Sequence, residues 1–173
     1  MKTKQIFNMM NVISWIVFIG YCIKAGAITI VSILSLLGNS KATENLYMGI
    51  DLSNLYDFSI LHFTLVVLLF ILTICLKAYM FYLLIIIFKT MDFNEPFNDA
   101  VVNLVFRISY LALSIGLLGI VFNAYIKWLQ TKVMFTQIDI NTSAYIFMAG
   151  VVFVVATLFK KATEIQQENE LTI

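Results

Sequence analysis

Apolar residues in this chain gather into four long runs, and most polar residues lie between them. The runs lie near Ile13–Leu37, Ile60–Phe88, Ile108–Ile126 and Ala144–Phe159. A helix needs about 20 residues to cross about 30 Å of hydrocarbon, so the pattern predicts four transmembrane helices, the last of them short and dependent on a flanking turn. Two polar stretches, Gly38–Ser59 with Glu44, Asp51 and Asp57, and Thr131–Asn141, read as loops on one side. The only proline, Pro96 in Asn94-Glu95-Pro96-Phe97-Asn98, suits the first turn of the third helix. Since no span contains a proline, a transporter built on broken helices is not expected.

Composition fixes the class. Of 173 residues, 61% are hydrophobic and 12% charged, against roughly 25% charged in soluble domains. The expectation is an all-α integral membrane four-helix bundle forming one domain over residues 1–173. Lys2 and Lys4 precede an apolar run too long for the core of a signal peptide, so the run reads as a retained first helix. Four spans put both termini on one side. With the termini inside, that side carries Lys2, Lys4, Lys89, Arg107, Lys160 and Lys161, and the other Lys41, Lys127 and Lys132. The positive-inside rule therefore predicts cytoplasmic termini, in the inner membrane of a cell. A formal net charge of +1 is no footprint for nucleic acid, and direct binding to it is not expected.

Charges inside the apolar runs are the candidate chemistry. Lys24 lies in the middle of the first run, with no carboxylate in any span to pair with it. Counted from the loop ends of their helices, Lys77, Arg107 and Lys160 each fall about 25–30 Å down, near one level, with Lys24 about a turn closer to the loops. Two readings follow. The layer is a collar at the inner interface whose ammonium and guanidinium groups snorkel to the head groups, or it is an internal site that holds an anion, most simply a lipid phosphate. The collar reading leaves Ala78–Phe88 beyond the inner boundary, where Phe97–Phe106 and the tail Lys161–Leu171 are candidate covers. Helices two to four would then extend into the cytoplasm.

The remaining motifs are bland. Cys22 and Cys75 lack a paired spacing and read as packing residues. His62 beside Asp57 or Asp51 has no spaced second histidine, so no metal is expected. Tyr79, Phe81 and Tyr82 beside Lys77 offer interface anchoring or a cation–π contact, and Trp128 an anchor at the loop side. Ser114-Ile115-Gly116-Leu117-Leu118-Gly119 and Ala149-Gly150 permit close helix approach. There is no nucleophile with a histidine base, no HExxH and no glycine-rich phosphate loop, so neither enzyme activity nor a cofactor is expected. Ser32, Ser35, Thr64, Thr73, Ser109, Ser114 and Asn123 are too scattered to trace a conduction path.

The segments WIVFIGYCIKAGAITI, ENLYMGIDLSNLYDFSILH, LKAYMFYLLIIIF, NEPF, RISYLALSIGLL and FMAGVVFVVATLFKKATEIQQENELTI resemble the bacterial four-helix membrane family catalogued as domain of unknown function 2975, over nearly the whole chain. The resemblance implies a regulatory partnership with a helix-turn-helix regulator, and no catalytic residues. Independently of it, the tail offers Glu164, Glu168 and Glu170 as a docking face or a solvated helix end. The resulting expectation is a non-enzymatic regulatory or sensor-type membrane protein acting with a cytoplasmic partner. The alternative is an oligomeric channel or small transporter with a basic lipid- or anion-binding site.

Overall fold

In hydrocarbon a backbone without water must satisfy its own polar groups, and a long apolar run free of proline does so as a continuous helix. The computed structural model describes the backbone at residues 3–91 and 98–170 and side chains at 5–91 and 98–168. Its elements are α1 (Thr3–Leu36), a 3-10 turn (Ser40–Asn45), α2 (Ser53–Phe58), α3 (Ile60–Thr90), α4 (Asp99–Gln130) and α5 (Thr142–Glu170), with no strand among the described residues. The four long helices α1, α3, α4 and α5 are long and apolar enough to cross a membrane. The NEPF junction with Pro96, Lys2, the Lys4 and Glu170 side chains and Leu171 lie outside the described residues.

Local chemistry sets the helix ends. The Ser59 hydroxyl accepts from the His62 amide and opens α3, and Asn98 Oδ1 accepts from the Val101 amide at 2.8 Å to open α4. At the end of α1, Gly38 adopts φ +108°, a left-handed conformation that suits glycine, while the Leu37, Gly38 and Asn39 amides return to carbonyls of the last turn. At this capped end the loops are stitched together. Thr136 N donates to Asp51 O, Asn54 Nδ2 donates to Met134 O at 2.9 Å, and the Tyr56 hydroxyl donates to Ser35 O.

The long helices stand in a row rather than a closed bundle. α1 packs on α3, α3 on α4 and α4 on α5, and among the described residues no Cα of α1 comes within 8 Å of α4 or α5, nor any of α3 within 8 Å of α5. The two end helices therefore leave large side chains exposed, among them Ile16, Ile23 and Ile30 on α1 and Phe147, Val154 and Leu158 on α5. This arrangement decides what covers Ala78–Phe88. The first half of α1 does, with Phe7 against Phe88 at 5.5 Å and Phe18 against Tyr82 at 5.9 Å, together with the start of α4, where Val101 and Val102 are buried. Of the tail expected as a second cover, the described residues lie beside α4, where Gln167 reaches Asp99, and no Cα of α5 comes within 8 Å of α3.

Exposed aromatic rings mark two girdles. Phe70 stacks on Phe122, and twelve residues further along the antiparallel pair Tyr82 comes level with Tyr110. Trp15 joins that level through Phe18, and all three rings, with Tyr79, are exposed. Trp128 is exposed toward the capped end, eighteen residues from Tyr110 and hence about 27 Å along α4, close to the thickness of a hydrocarbon core. Beyond the Tyr82–Tyr110 girdle α3 and α4 project a further 12–16 Å or so at 1.5 Å per residue.

One connection departs from the expected loop. A Cβ on Gly119 would lie 2.8 Å from Thr142 Oγ1 and 2.9 Å from Ile140 Cγ2, so α5 starts opposite Gly119, about 16 Å short of the end of α4. Residues 131–141 thus run back down into the helix layer. Ile138 and Ile140 are buried, and the Asn123 side chain supplies the hydrogen bonds that helix or sheet would otherwise provide: Nδ2 donates to Ile140 O at 2.8 Å and Oδ1 accepts from Ile140 N at 3.0 Å.

Candidate functional site

The packing register separates the four basic residues into two pairs. Phe18 meets Tyr82 and Tyr21 meets Phe81, which brings Lys24 level with Lys77. The same counting carries Lys77 to the level of Ile115 on α4, about 12 Å on the capped side of Arg107. The single layer inferred by counting fails because α4 runs on past Ile126 to Gln130, which sets Arg107 further from that end than Lys77 is, and because α5 starts short, opposite Gly119. Lys24 and Lys77 lie on the capped side of the Tyr82–Tyr110 girdle, and Arg107 and Lys160 beyond it.

Lys24 and Lys77 are half-buried and covered by rings. The Lys24 ammonium lies 5.5 Å from the Tyr47 ring centre and 5.4 Å from that of Phe70, and Lys77 Nζ lies 4.9 Å from that of Tyr145. An aromatic face stabilises a cation while leaving its N–H groups free to donate elsewhere. Lys77 thus uses Tyr145 of α5 rather than the neighbouring Tyr79 or Tyr82, which stack on each other on the exposed side of α3. Among the described residues neither lysine has a carboxylate within 4.0 Å.

Lys77 lines a groove of about 450 Å³ between α1 and α5, together with Tyr21, Asp139, Asn141 and Tyr145, over an apolar floor that includes Met80, Phe81 and Met148. The Tyr21 and Tyr145 side chains interact across it. Sequence reasoning placed every acidic residue in loops or flanks and found no carboxylate for the internal lysines. Asp139 is in a loop, but that loop descends into the layer and brings its carboxylate into the groove. The signal was the alternation Ile138-Asp139-Ile140, in which buried apolar residues flank an exposed polar one, as in an extended segment with one side packed.

Arg107 and Lys160 are exposed and line a separate cleft of about 640 Å³ between α4 and α5, with Asp99, Asn103 and Tyr110. Gln167 Nε2 reaches Asp99 Oδ2 at 3.5 Å across the same two helices. Further along α5, Lys161 Nζ pairs with Glu164 Oε2 at 2.8 Å, and Glu168 follows one turn on along the same face. An exposed pair of this kind contributes little to stability. It defines a charged, solvent-facing surface.

Cys22 and Cys75, expected as packing residues, are free and exposed. His62 Nδ1 is 2.7 Å from the Tyr125 hydroxyl and its ring lies among Phe58, Tyr125 and Trp128, while the Asp51 carboxylate accepts from the Ser53 amide and hydroxyl, so His62 and Asp51 serve different partners. Gly116 and Gly119 sit at the α4–α5 contact, and buried Ala149 accepts from the Ser109 hydroxyl at 3.0 Å. Gly150 differs, with no neighbour within 4 Å of a Cβ placed there.

Fold and site define an all-α protein of four membrane-length helices in an open row, with a cation-lined groove near one aromatic girdle and a charged cleft beyond it. The chain belongs to the family described as "Protein of unknown function (DUF2975)", whose model matches residues 47–173. The match begins after α1, so Lys24 and Tyr21 lie ahead of it. No curated protein and no solved structure matches the chain.

Proposed function

We propose that this protein is a non-enzymatic sensor-type or regulatory component of the bacterial inner membrane, with both termini cytoplasmic. A ligand in the Lys77 groove bears on a cytoplasmic partner, such as a helix-turn-helix regulator, through α5. The observation that carries this reading is that α5 lines both polar sites, with Tyr145 in the groove at one end and Lys160 in the cleft toward the other. One continuous helix between two sites transmits displacement or rigidity from one to the other when its arrangement has two states.

The channel or transporter alternative needs hydroxyls and amides along a path. Instead, Ser32, Ser35, Thr64, Thr73 and Ser114 donate to carbonyls one turn back on their own helices, Ser109 donates to Ala149, and Asn123 is engaged by the 131–141 segment. This distribution favours a packed helix layer over a pore.

The sensor reading predicts that the full chain in nanodiscs captures the regulator, and that deleting residues 164–173 lowers capture about tenfold while leaving helicity per residue unchanged. Undiminished capture by the truncated protein removes the tail from the docking surface. Anion or cation flux through liposomes containing the purified protein would instead favour the alternative.

A further inference from the structure

Lys77 and Asp139 line one groove with opposite charges, yet among the described residues they form no ion pair within 4.0 Å. Opposite charges facing one groove attract, and the half-buried Lys77 ammonium is costly until matched by a countercharge. The fold holds them apart. Lys77 is carried on α3 under the Tyr145 ring, and Asp139 on the 131–141 segment, whose neighbouring residue Ile140 is pinned by Asn123.

We propose that this groove binds a zwitterionic phospholipid head group of the ethanolamine type, with its phosphate at Lys77 and its primary ammonium at Asp139. The head group matches both protein charges at once and adds no net charge. A phosphatidylglycerol head supplies only the anion and sets it against the Asp139 carboxylate. A choline head has no N–H to donate to that carboxylate, and the Tyr145 face that would attract a quaternary ammonium is already occupied by Lys77. The Tyr21 and Tyr145 hydroxyls and the Asn141 amide lie in the same lining and supply donors for phosphate oxygens.

Position and shape favour a lipid over a soluble zwitterion. The α1 and α5 backbones nowhere approach within 8 Å, and the groove between them has a floor of Met80, Phe81 and Met148 that suits acyl chains. Lys77 lies five residues, or about 7 Å, from Tyr82 in the girdle, within reach of the head-group layer.

The inference supplies the ligand that the sensor reading needs, but its test involves no partner protein, so the two fail separately. The experiment is native mass spectrometry of the full chain equilibrated with phosphatidylethanolamine, phosphatidylglycerol or phosphatidylcholine of matched acyl chains. Wild type is expected to retain the ethanolamine lipid about tenfold better than either of the others, the size of one charge-assisted contact. Lys77→Met is expected to lower its retention by a similar factor. Asp139→Asn, at an exposed side chain, is expected to retain phospholipid but lose the preference for ethanolamine over glycerol heads. Equal retention of the three lipids by wild type, or an unchanged preference in Asp139→Asn, overturns the proposal. So does displacement of the lipid by soluble phosphorylethanolamine at equal concentration, which would mark the site as one for a soluble ligand.

Discussion

Gly116→Val is expected to lower the melting temperature of the purified protein by about 5–10 °C, the equivalent of roughly 3 kcal/mol of overpacking in a chain of this size. A Cβ at Gly116 would stand 2.6 Å from Ile146 Cγ1 and 3.3 Å from the Ile146 backbone nitrogen. The side-chain carbon can swing aside, but the backbone cannot without moving α5 as a whole. Valine adds two methyl groups to that conflict. In lipid the helices are held by close packing rather than by expulsion of water, so a forced separation here loses van der Waals contact along much of the α4–α5 seam. Gly150→Val provides the control: nothing lies within 4 Å of a Cβ there, and its melting temperature is expected to stay within about 2 °C of wild type. Thermal melts of the two variants in one detergent check the pair, and equal melting temperatures would refute the α4–α5 seam described above.

Asn123→Leu is expected to be nearly as damaging, through a different mechanism. Leucine has close to the same volume but can neither donate nor accept. It leaves the Ile140 N–H without the acceptor it has at 3.0 Å, takes one donor from the Ile140 C=O, which keeps the Thr142 amide and hydroxyl, and removes the 3.2 Å contact from Asn123 Nδ2 to Thr142 Oγ1. An unsatisfied buried backbone group costs about 1–3 kcal/mol, so the descent of residues 131–141 should be lost before the helices themselves. The expected signature is rapid amide hydrogen exchange at Ile138, Ile140 and Thr142 with α3 still protected. Unchanged protection at Ile140 would show that Asn123 does not hold the segment. Because Asp139 rides on it, this variant should also lose discrimination among phospholipid head groups.

These two residues show where sequence reasoning reached and where it stopped. Four membrane-length helices were legible because apolar runs without proline leave a backbone in lipid little choice but helix. Ala78–Phe88 stood out as an apolar stretch that, on one of two readings, lies beyond the inner boundary and demands a cover. That α1 provides this cover was not legible, since its first half reads as a terminal flank. The close approach of α4 and α5 was visible as Gly116 and Gly119, but Gly150 carries the same signal without the contact. Residue type gives permission to approach and does not supply the neighbour.

The site was half legible. Lys24 and Lys77 stand out as charges in apolar runs, and the structure brings them to one level under aromatic rings. Register was lost because the third span was taken to end at Ile126, whereas α4 runs to Gln130, and because α5 begins beside Gly119. The same stagger hid Asp139, since a loop that runs back into the layer looks, in sequence, like any other polar connection. Arg107 and Lys160 joined the set only through that miscount and belong to a separate cleft.

The account rests on α5 coupling the groove to the cleft. Its most direct test compares capture of the proposed helix-turn-helix partner by wild type and by Lys77→Met, each as the full chain in nanodiscs containing phosphatidylethanolamine. Lys77 is on α3 and remote from the proposed docking surface, so only a coupled protein should respond to its loss. A change of about fivefold or more in capture, in either direction, is the predicted result. Identical capture by the two proteins, with the variant shown to have lost its lipid, would contradict it.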